Sequence, residues 1–282
     1  MTNPNKPILV FQSDFTYAEG AVSSMYGVVK SVDRELEIFD GTHEIPQFDT
    51  WSASYRLYQS MPFWPKGTIY VSVVDPGVGT SRRACAARTA SGHVVITPDN
   101  GTLTHVARNI GIVEVRQINE AVNRLPSTRG TSVFAGRDVF AYTAACLASG
   151  IIGWDEVGPA YPVEKIVVHD APEPEVTLGE AQGIVEICDP NFGNAWTNIG
   201  WNLIESCEAK LGDKVTVRIC HENAVAFEGE VTIAGTFGDV PKGEALLYCN
   251  EVMNAALALS QGSFIRTYGV GFGPSWSVVI AF

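Results

Sequence analysis

Asp75 and Arg82 are the residues in this sequence best spaced to do chemistry. Asp75 closes the run Tyr70-Val71-Ser72-Val73-Val74 and is followed at once by Pro76-Gly77-Val78-Gly79. The β-branched run, entered from the turn Pro65-Lys66-Gly67, reads as a buried strand. Proline and glycine end it, so the carboxylate falls at the strand's C-terminal end. Open α/β sheets bind their ligands just outside that end. Arg82 and Arg83 follow beyond the glycine loop. A carboxylate with an arginine folded back onto it can hold a polar substrate or a water. The same pair can also be a structural ion pair that pins the loop.

Asp14 repeats the arrangement. Ile8-Leu9-Val10-Phe11 reads as a strand, Gln12-Ser13-Asp14-Phe15-Thr16 follows it, and apolar spacing at Val22, Met25, Val28 and Val29 predicts a helix over 21–32. This opening has neither GxGxxG nor a P-loop lysine, so it is not a standard phosphate cradle. An ionised carboxylate only accepts hydrogen bonds, through two oxygens, and Asp14 can therefore take both hydroxyls of a vicinal diol. It can equally cap the helix or fix the loop. A third cluster, Cys188-Asp189-Pro190-Asn191-Phe192-Gly193-Asn194-Ala195-Trp196-Thr197-Asn198-Ile199, puts a carboxylate, amides and aromatics on a predicted loop. Its amides suit a base or a zwitterion, and an Asx-rich turn around a buried tryptophan is the alternative.

The elements that must position these groups change in texture along the chain. Residues up to about 150 alternate strands and helices. A short strand is predicted over 36–39, a helix capped by Asp49 or Thr50 runs to about Ser60, a hairpin covers 84–97, and a helix opens near Val133 and runs to about Ser149. Four prolines over 159–174 predict an extended linker. Beyond it come short strands (183–187, 214–219, 224–227, 229–233, 245–248, 277–281) with one helix over 202–210, which suggests a small β-barrel or sandwich.

Composition bounds the partners. The 282 residues are 46% hydrophobic and 18% charged, as in a globular chain. A net charge of -12 disfavours nucleic acid or an anionic membrane. No apolar stretch approaches a membrane span and no signal peptide opens the sequence, so a cytoplasmic location is expected. None of the six cysteines is at CxxC spacing and none of the five histidines forms HxH or HExxH, so no metal site is expected.

Five motifs occur in one order: Ser13-Asp14; Asp75-Pro76-Gly77-Val78-Gly79 with Arg82-Arg83; Pro98-Asp99-Asn100-Gly101-Thr102-Leu103; Phe134 with Gly136-Arg137-Asp138; and Phe192-Gly193-Asn194-Ala195-Trp196-Thr197-Asn198. Together they resemble the S-adenosyl-L-methionine (SAM) hydroxide adenosyltransferases, the hydrolytic branch of the fluorinase–chlorinase superfamily, over nearly the whole chain. The resemblance implies an α/β fold: an N-terminal α/β domain with a central mixed sheet over 1–170, and a smaller C-terminal β-barrel domain over 171–282. It implies a homotrimer with SAM held between subunits, attack on ribose C5′ and loss of methionine. It needs no cofactor and no metal, SAM being the substrate. Asp75 and Arg82 are then the catalytic residues. Asp14 takes the ribose hydroxyls and Phe48 packs on the ligand. Asp189 holds the methionine end, Asn194 the adenine, and Phe237 lines the adenine pocket. Phe134, Gly136 and Trp196 join the substrate-binding set, with Asn250 at the amino-acid end.

Three positions depart from the family pattern. Ala135 stands where the hydrolytic enzymes usually have histidine, and His43 and His105 are the candidates to replace it in space. Asn250-Glu251-Val252 replaces an Asn-Ser motif, bringing a carboxylate toward the amino-acid end. Glu19 stands for an aspartate. The resemblance predicts hydrolysis of SAM to adenosine and methionine. The alternatives are a SAM- or adenosine-binding protein with little turnover, and C5′ substitution by another nucleophile.

Overall fold

The computed structural model describes residues 6–131, 133–177 and 179–282. They form two compact units, one ending at His169 and the other beginning at Asp170. Among the described residues no helix is long and apolar enough to cross a membrane.

The first unit contains β1 (Leu9–Ser13), α1 (Ala21–Val32), β2 (Ile38–Thr42), α2 (Thr50–Ser60), β3 (Ile69–Val73), β4 (Ala84–Thr89), β5 (Val94–Pro98), α3 (Thr104–Asn109), β6 (Ile112–Gln117), α4 (Tyr142–Ala148) and β7 (Ala160–Tyr161). Its sheet runs β2-β1-β3-β5-β4-β6-β7. The first four strands are parallel neighbours, and β4, β6 and β7 pair antiparallel, so the sheet is mixed as expected. Both β1 and β3 are buried along their length. Successive side chains leave a strand on opposite faces. Leu9 and Phe11 accordingly pack with Met25, Val29 and Phe140 on one face, while Val10 packs with Leu57, Tyr70 and Val95 on the other. That double burial explains the unbroken apolar runs in the sequence.

Three local details differ from expectation and one agrees with it. The second strand is shifted to Ile38–Thr42, because Leu36 is spent on the core before the strand begins. The helix near Val133 starts instead at Ala135 with a π-helical turn, Gly136–Ala141, before α4. Asp49 caps α2, its carboxylate accepting the Ser52 N–H at 2.9 Å, as one of the two predicted candidates. The proline-rich segment from 159 is docked up to His169. Ala160 and Tyr161 pair with β6, and Ile166 is buried. Asp99 is the anchor: its side chain is fully buried, Arg83 donates to it at 2.8 Å, the Tyr161 hydroxyl at 3.0 Å and the Val167 N–H at 2.7 Å.

The second unit contains β8 (Glu175–Thr177), β9 (Glu180–Cys188), β10 (Ala195–Gly200), α5 (Trp201–Ser206), β11 (Lys214–His221), β12 (Ala224–Ile233), β13 (Ala245–Cys249), β14 (Asn254–Leu259), α6 (Phe264–Tyr268) and β15 (Trp276–Ala281). The strand order β10-β14-β13-β12-β11-β15-β9 closes on itself through β9–β10, and β8 adds outside the ring on β9. This is a seven-stranded barrel, which abolishes free edges. Val215, Val217 and Ile219 of β11 alternate inward to a core with Val231, Leu247, Leu257 and Ile280. Residues 195–200, predicted as loop, form a strand. The 224–233 region is one strand instead of two, and α5 stops at Ser206, well before 210. Strand β14 was not expected, because Asn-Ala-Ala-Leu-Ala-Leu carries no β-branched residue.

Removing one partner from a buried ion pair costs about 3–5 kcal/mol. Arg83 is a third exposed, so Asp99→Ala is expected at the low end, about 3 kcal/mol of unfolding free energy by denaturant titration. An unchanged transition would show that the 160–167 segment does not depend on this anchor.

Candidate active site

Parallel pairing sets Ser13 of β1 opposite Val73 of β3. Asp14 and Asp75, one and two residues past those partners, therefore emerge at the same sheet edge. They line a cleft of about 590 Å³ together with Phe48, Phe134 and Gly136, so five of the predicted residues share one cavity. Glu19 and Ala135 line it as well.

Arg82 clamps Asp75 from behind the cleft. Its Nε lies 3.0 and 2.9 Å from the two carboxylate oxygens, and its Nη2 lies 2.6 Å from Oδ2. Charge-assisted contacts to a guanidinium fork are strong and fix orientation. The pair is nearly dry, with side chains 7% exposed for Asp75 and 11% for Arg82. Arg82 also lies over the Phe140 ring at 5.4 Å and within 3.8 Å of Glu120. The intervening loop is tight: Val78 N–H donates to Asp75 O, and Thr80 N–H to Gly77 O. A Cβ on Gly77 would come within 3.0 Å of Arg82 Cγ, so glycine lets the arginine fold back. Arg82 thus pins the loop, as one of the two readings of this pair has it, and Asp75 lines the cleft.

Asp14 accepts the Phe48 N–H at 2.9 Å. Phe48 holds φ at 66°, a left-handed conformation uncommon outside glycine, with its ring more than half exposed at the cleft. Burial pushes the Asp14 carboxyl above its ordinary range; the charge of Asp75 adds to this, and the Phe48 N–H opposes it. Gly136 permits the close wall: a Cβ there would meet Val73 at 3.0 Å, Phe134 at 3.1 Å and Phe15 at 3.3 Å. Phe15 and Phe134 pack edge to face at 5.7 Å, and Arg137 lies over Phe134. Among the described residues no histidine lines the cleft. His105 is buried against Trp51 and Tyr55, and His43 contacts Ser13 and Tyr26, so neither replaces the side chain missing at Ala135.

Within the barrel, Asn194 and Phe237 line a second cleft of about 540 Å³, with Phe192, Ser263 and Arg266. Trp196 stands behind it, donating from Nε1 to the Tyr248 hydroxyl at 3.0 Å. Tyr248 also packs on Phe237 at 5.0 Å. Burial pushes its phenol up to about 12. Tyr248 therefore joins two predicted residues, Trp196 and Phe237, and sequence reasoning missed it because a tyrosine ending a strand carries no signal of its partners. Asp189 and Asn250 do not line this cleft. Asp189 accepts the Asn191 and Phe192 N–H groups in an Asx turn, and Asn250 Oδ1 accepts those of Val252 and Asn254. Asn250 Nδ2 is buried with no partner among the described residues. No group of three or more His, Cys, Asp or Glu among those residues could hold a metal ion.

Comparison with known proteins gives the family. The SAM hydroxide adenosyltransferase N-terminal domain matches residues 9–158, and the C-terminal domain of the same family matches residues 183–277. An (R)-S-adenosyl-L-methionine hydrolase of Salinispora tropica is 33% identical over 267 residues, 94% of each chain. A fluorinase of Actinoplanes sp. is 26% identical, covering 98% of each. The crystal structure of an uncharacterized conserved protein from Thermotoga maritima superposes with a TM-score of 0.89 at 31% identity, covering 98% of this chain and 100% of that one. With both domains matched in order, the chain belongs to the SAM hydroxide adenosyltransferase family.

Proposed function

We propose that this protein hydrolyses SAM to adenosine and L-methionine. The observation that carries the reading is the dry Asp75–Arg82 pair facing a cleft that also presents Asp14. The water oxygen forms a bond to ribose C5′, the C5′–S bond breaks, and its electron pair goes to sulfur as methionine leaves. One water proton passes to Asp75 and then to solvent. A sulfonium needs no general acid to depart. The protein's work is to align the water with the C5′–S bond and accept its proton. Alignment alone can supply up to about 7–11 kcal/mol in ideal cases. Asp14 receives the ribose hydroxyls, with Phe48 against the ligand. In the barrel cleft, Asn194 and Phe237 suit the adenine, with Trp196 and Tyr248 behind them. Asp189 and Asn250 serve the methionine end.

Asp75 would repel a halide in the nucleophile's position, which argues against halogenation. Ala135 supports the alternative of tight binding with little turnover, because its methyl group cannot carry a proton. Neither a cofactor nor a metal enters the proposed reaction. From the family resemblance the proposal also takes a homotrimer acting in the cytoplasm.

Incubation with SAM, followed by chromatography, tests the reading. Adenosine and methionine are expected in equal amounts, whereas unchanged SAM, with turnover only in Ala135→His, would favour the binding reading. Asp75→Asn is expected to lower kcat about 10²–10⁴-fold, the usual worth of a general base, while adenosine affinity stays within about threefold. Equal activity in that variant would remove Asp75 from the mechanism. Adenosine affinity should also depend on pH. Only the ionised Asp14 accepts both hydroxyls, and its pKa lies above the ordinary 3.8. Binding should therefore weaken as pH falls through that raised value, at a higher pH than an ordinary aspartate would give. Asp14→Asn should bind more weakly and lose this dependence in calorimetry; a dependence surviving in the variant would exclude Asp14 as its source.

A further inference from the structure

A polar chain, buried at Ser13 and His43 and open to solvent at Tyr17 and Asp40, backs the cleft and has no part in the reaction above. Ser13, the last residue of β1, is fully buried, and its Oγ lies 2.7 Å from His43 Nδ1. The Phe15 N–H donates to the same Oγ at 3.2 Å. The hydroxyl proton is then free to go to Nδ1, which leaves the ring proton on Nε2. That nitrogen lies 2.9 Å from the Tyr26 hydroxyl and 3.3 Å from Asp40 Oδ1. Tyr26 and Tyr17 in turn both donate to Asp40. Every link has one donor and one acceptor when His43 is neutral. Its burial, with 1% exposed, lowers its pKa and favours that form.

The backbone is stitched at the same place. Thr16 N–H donates to His43 O at 2.8 Å, and Ile45 N–H to Ser13 O at 3.4 Å. Farther along the same loop, Phe48 N–H reaches Asp14. Asp14 thus sits between two residues, Ser13 and Phe15, that are both tied to one hydroxyl, and that hydroxyl is held by His43.

We propose that His43 is a positioning residue for Asp14: through Ser13 it fixes the backbone over residues 13–16 and so aims the Asp14 carboxylate into the cleft. The proposal rests on the nucleoside reading of the cleft. It distinguishes His43 from an ordinary core histidine, whose loss would lower stability without singling out one ligand contact.

Adenosine affinity, measured by calorimetry on the full chain, tests it. Ser13→Ala and His43→Ala are each expected to weaken binding about five- to tenfold, as loss of one well-placed hydrogen bond does. His43→Asn, whose side-chain oxygen accepts where Nδ1 did, should recover affinity to within about twofold. In an Asp14→Asn background Ser13→Ala should have no further effect, since residues acting through one group are not additive. Undiminished binding in Ser13→Ala, an equal loss in both backgrounds, or no recovery in His43→Asn would each overturn the proposal. Ser13→Ala removes only one oxygen, so it carries the test if His43→Ala does not fold. An unmodified chain that fails to bind adenosine would sink the nucleoside reading and this proposal with it. Binding that is intact in the unmodified chain and indifferent to these variants would sink this proposal alone.

Discussion

Two carboxylates meet at one sheet edge because β1 and β3 pair in parallel, with Ser13 opposite Val73. Everything else around the cleft answers that constraint. Like charges brought together in a partly dry site disfavour each other, and Asp75 is among the causes that raise the Asp14 pKa. The protein offsets this differently at each position. Asp75 receives a guanidinium fork, delivered by a loop that glycine allows to fold back. Asp14 receives a single backbone N–H, from a residue held at positive φ. The stronger clamp falls on the group proposed to accept a proton, and the weaker leaves lone pairs for a substrate.

The first unit's site was legible because its signals are local. A β-branched run cut by Asp-Pro-Gly marks a strand end, and a strand end in a parallel sheet marks a ligand edge. Asp14 and Asp75 line one cleft, and Phe48, Phe134 and Gly136, to which only the family resemblance pointed, line it with them. Illegible were the features made by distant partners. The segment after Pro159 reads as a linker until Asp99 is seen to gather Arg83, Tyr161 and Val167. Tyr248 and His43 gain their roles from residues dozens of positions away. Strand β14 was hidden by its alanines, whose strand preference comes from its neighbours β10 and β13 and not from their own side chains.

Ala135 gives the chemistry its sharpest constraint. Its methyl lies in the cleft wall where a proton-carrying side chain would be useful, and neither His43 nor His105 is turned to take that place. The proposed turnover then runs on Asp75, which Arg82 clamps, with the π-helical turn at Gly136 beside the cleft. Such turns recur at functional sites because they re-aim a helix without ending it.

In the proposed hydrolysis, oxygen from water becomes bonded to ribose C5′. Turnover of SAM in ¹⁸O-labelled water, with mass analysis of the products, tests it most directly. One ¹⁸O atom is expected in adenosine, at the 5′-oxygen, and none in methionine. Unlabelled adenosine, a 5′-substituted product free of the label, or SAM recovered intact would contradict it.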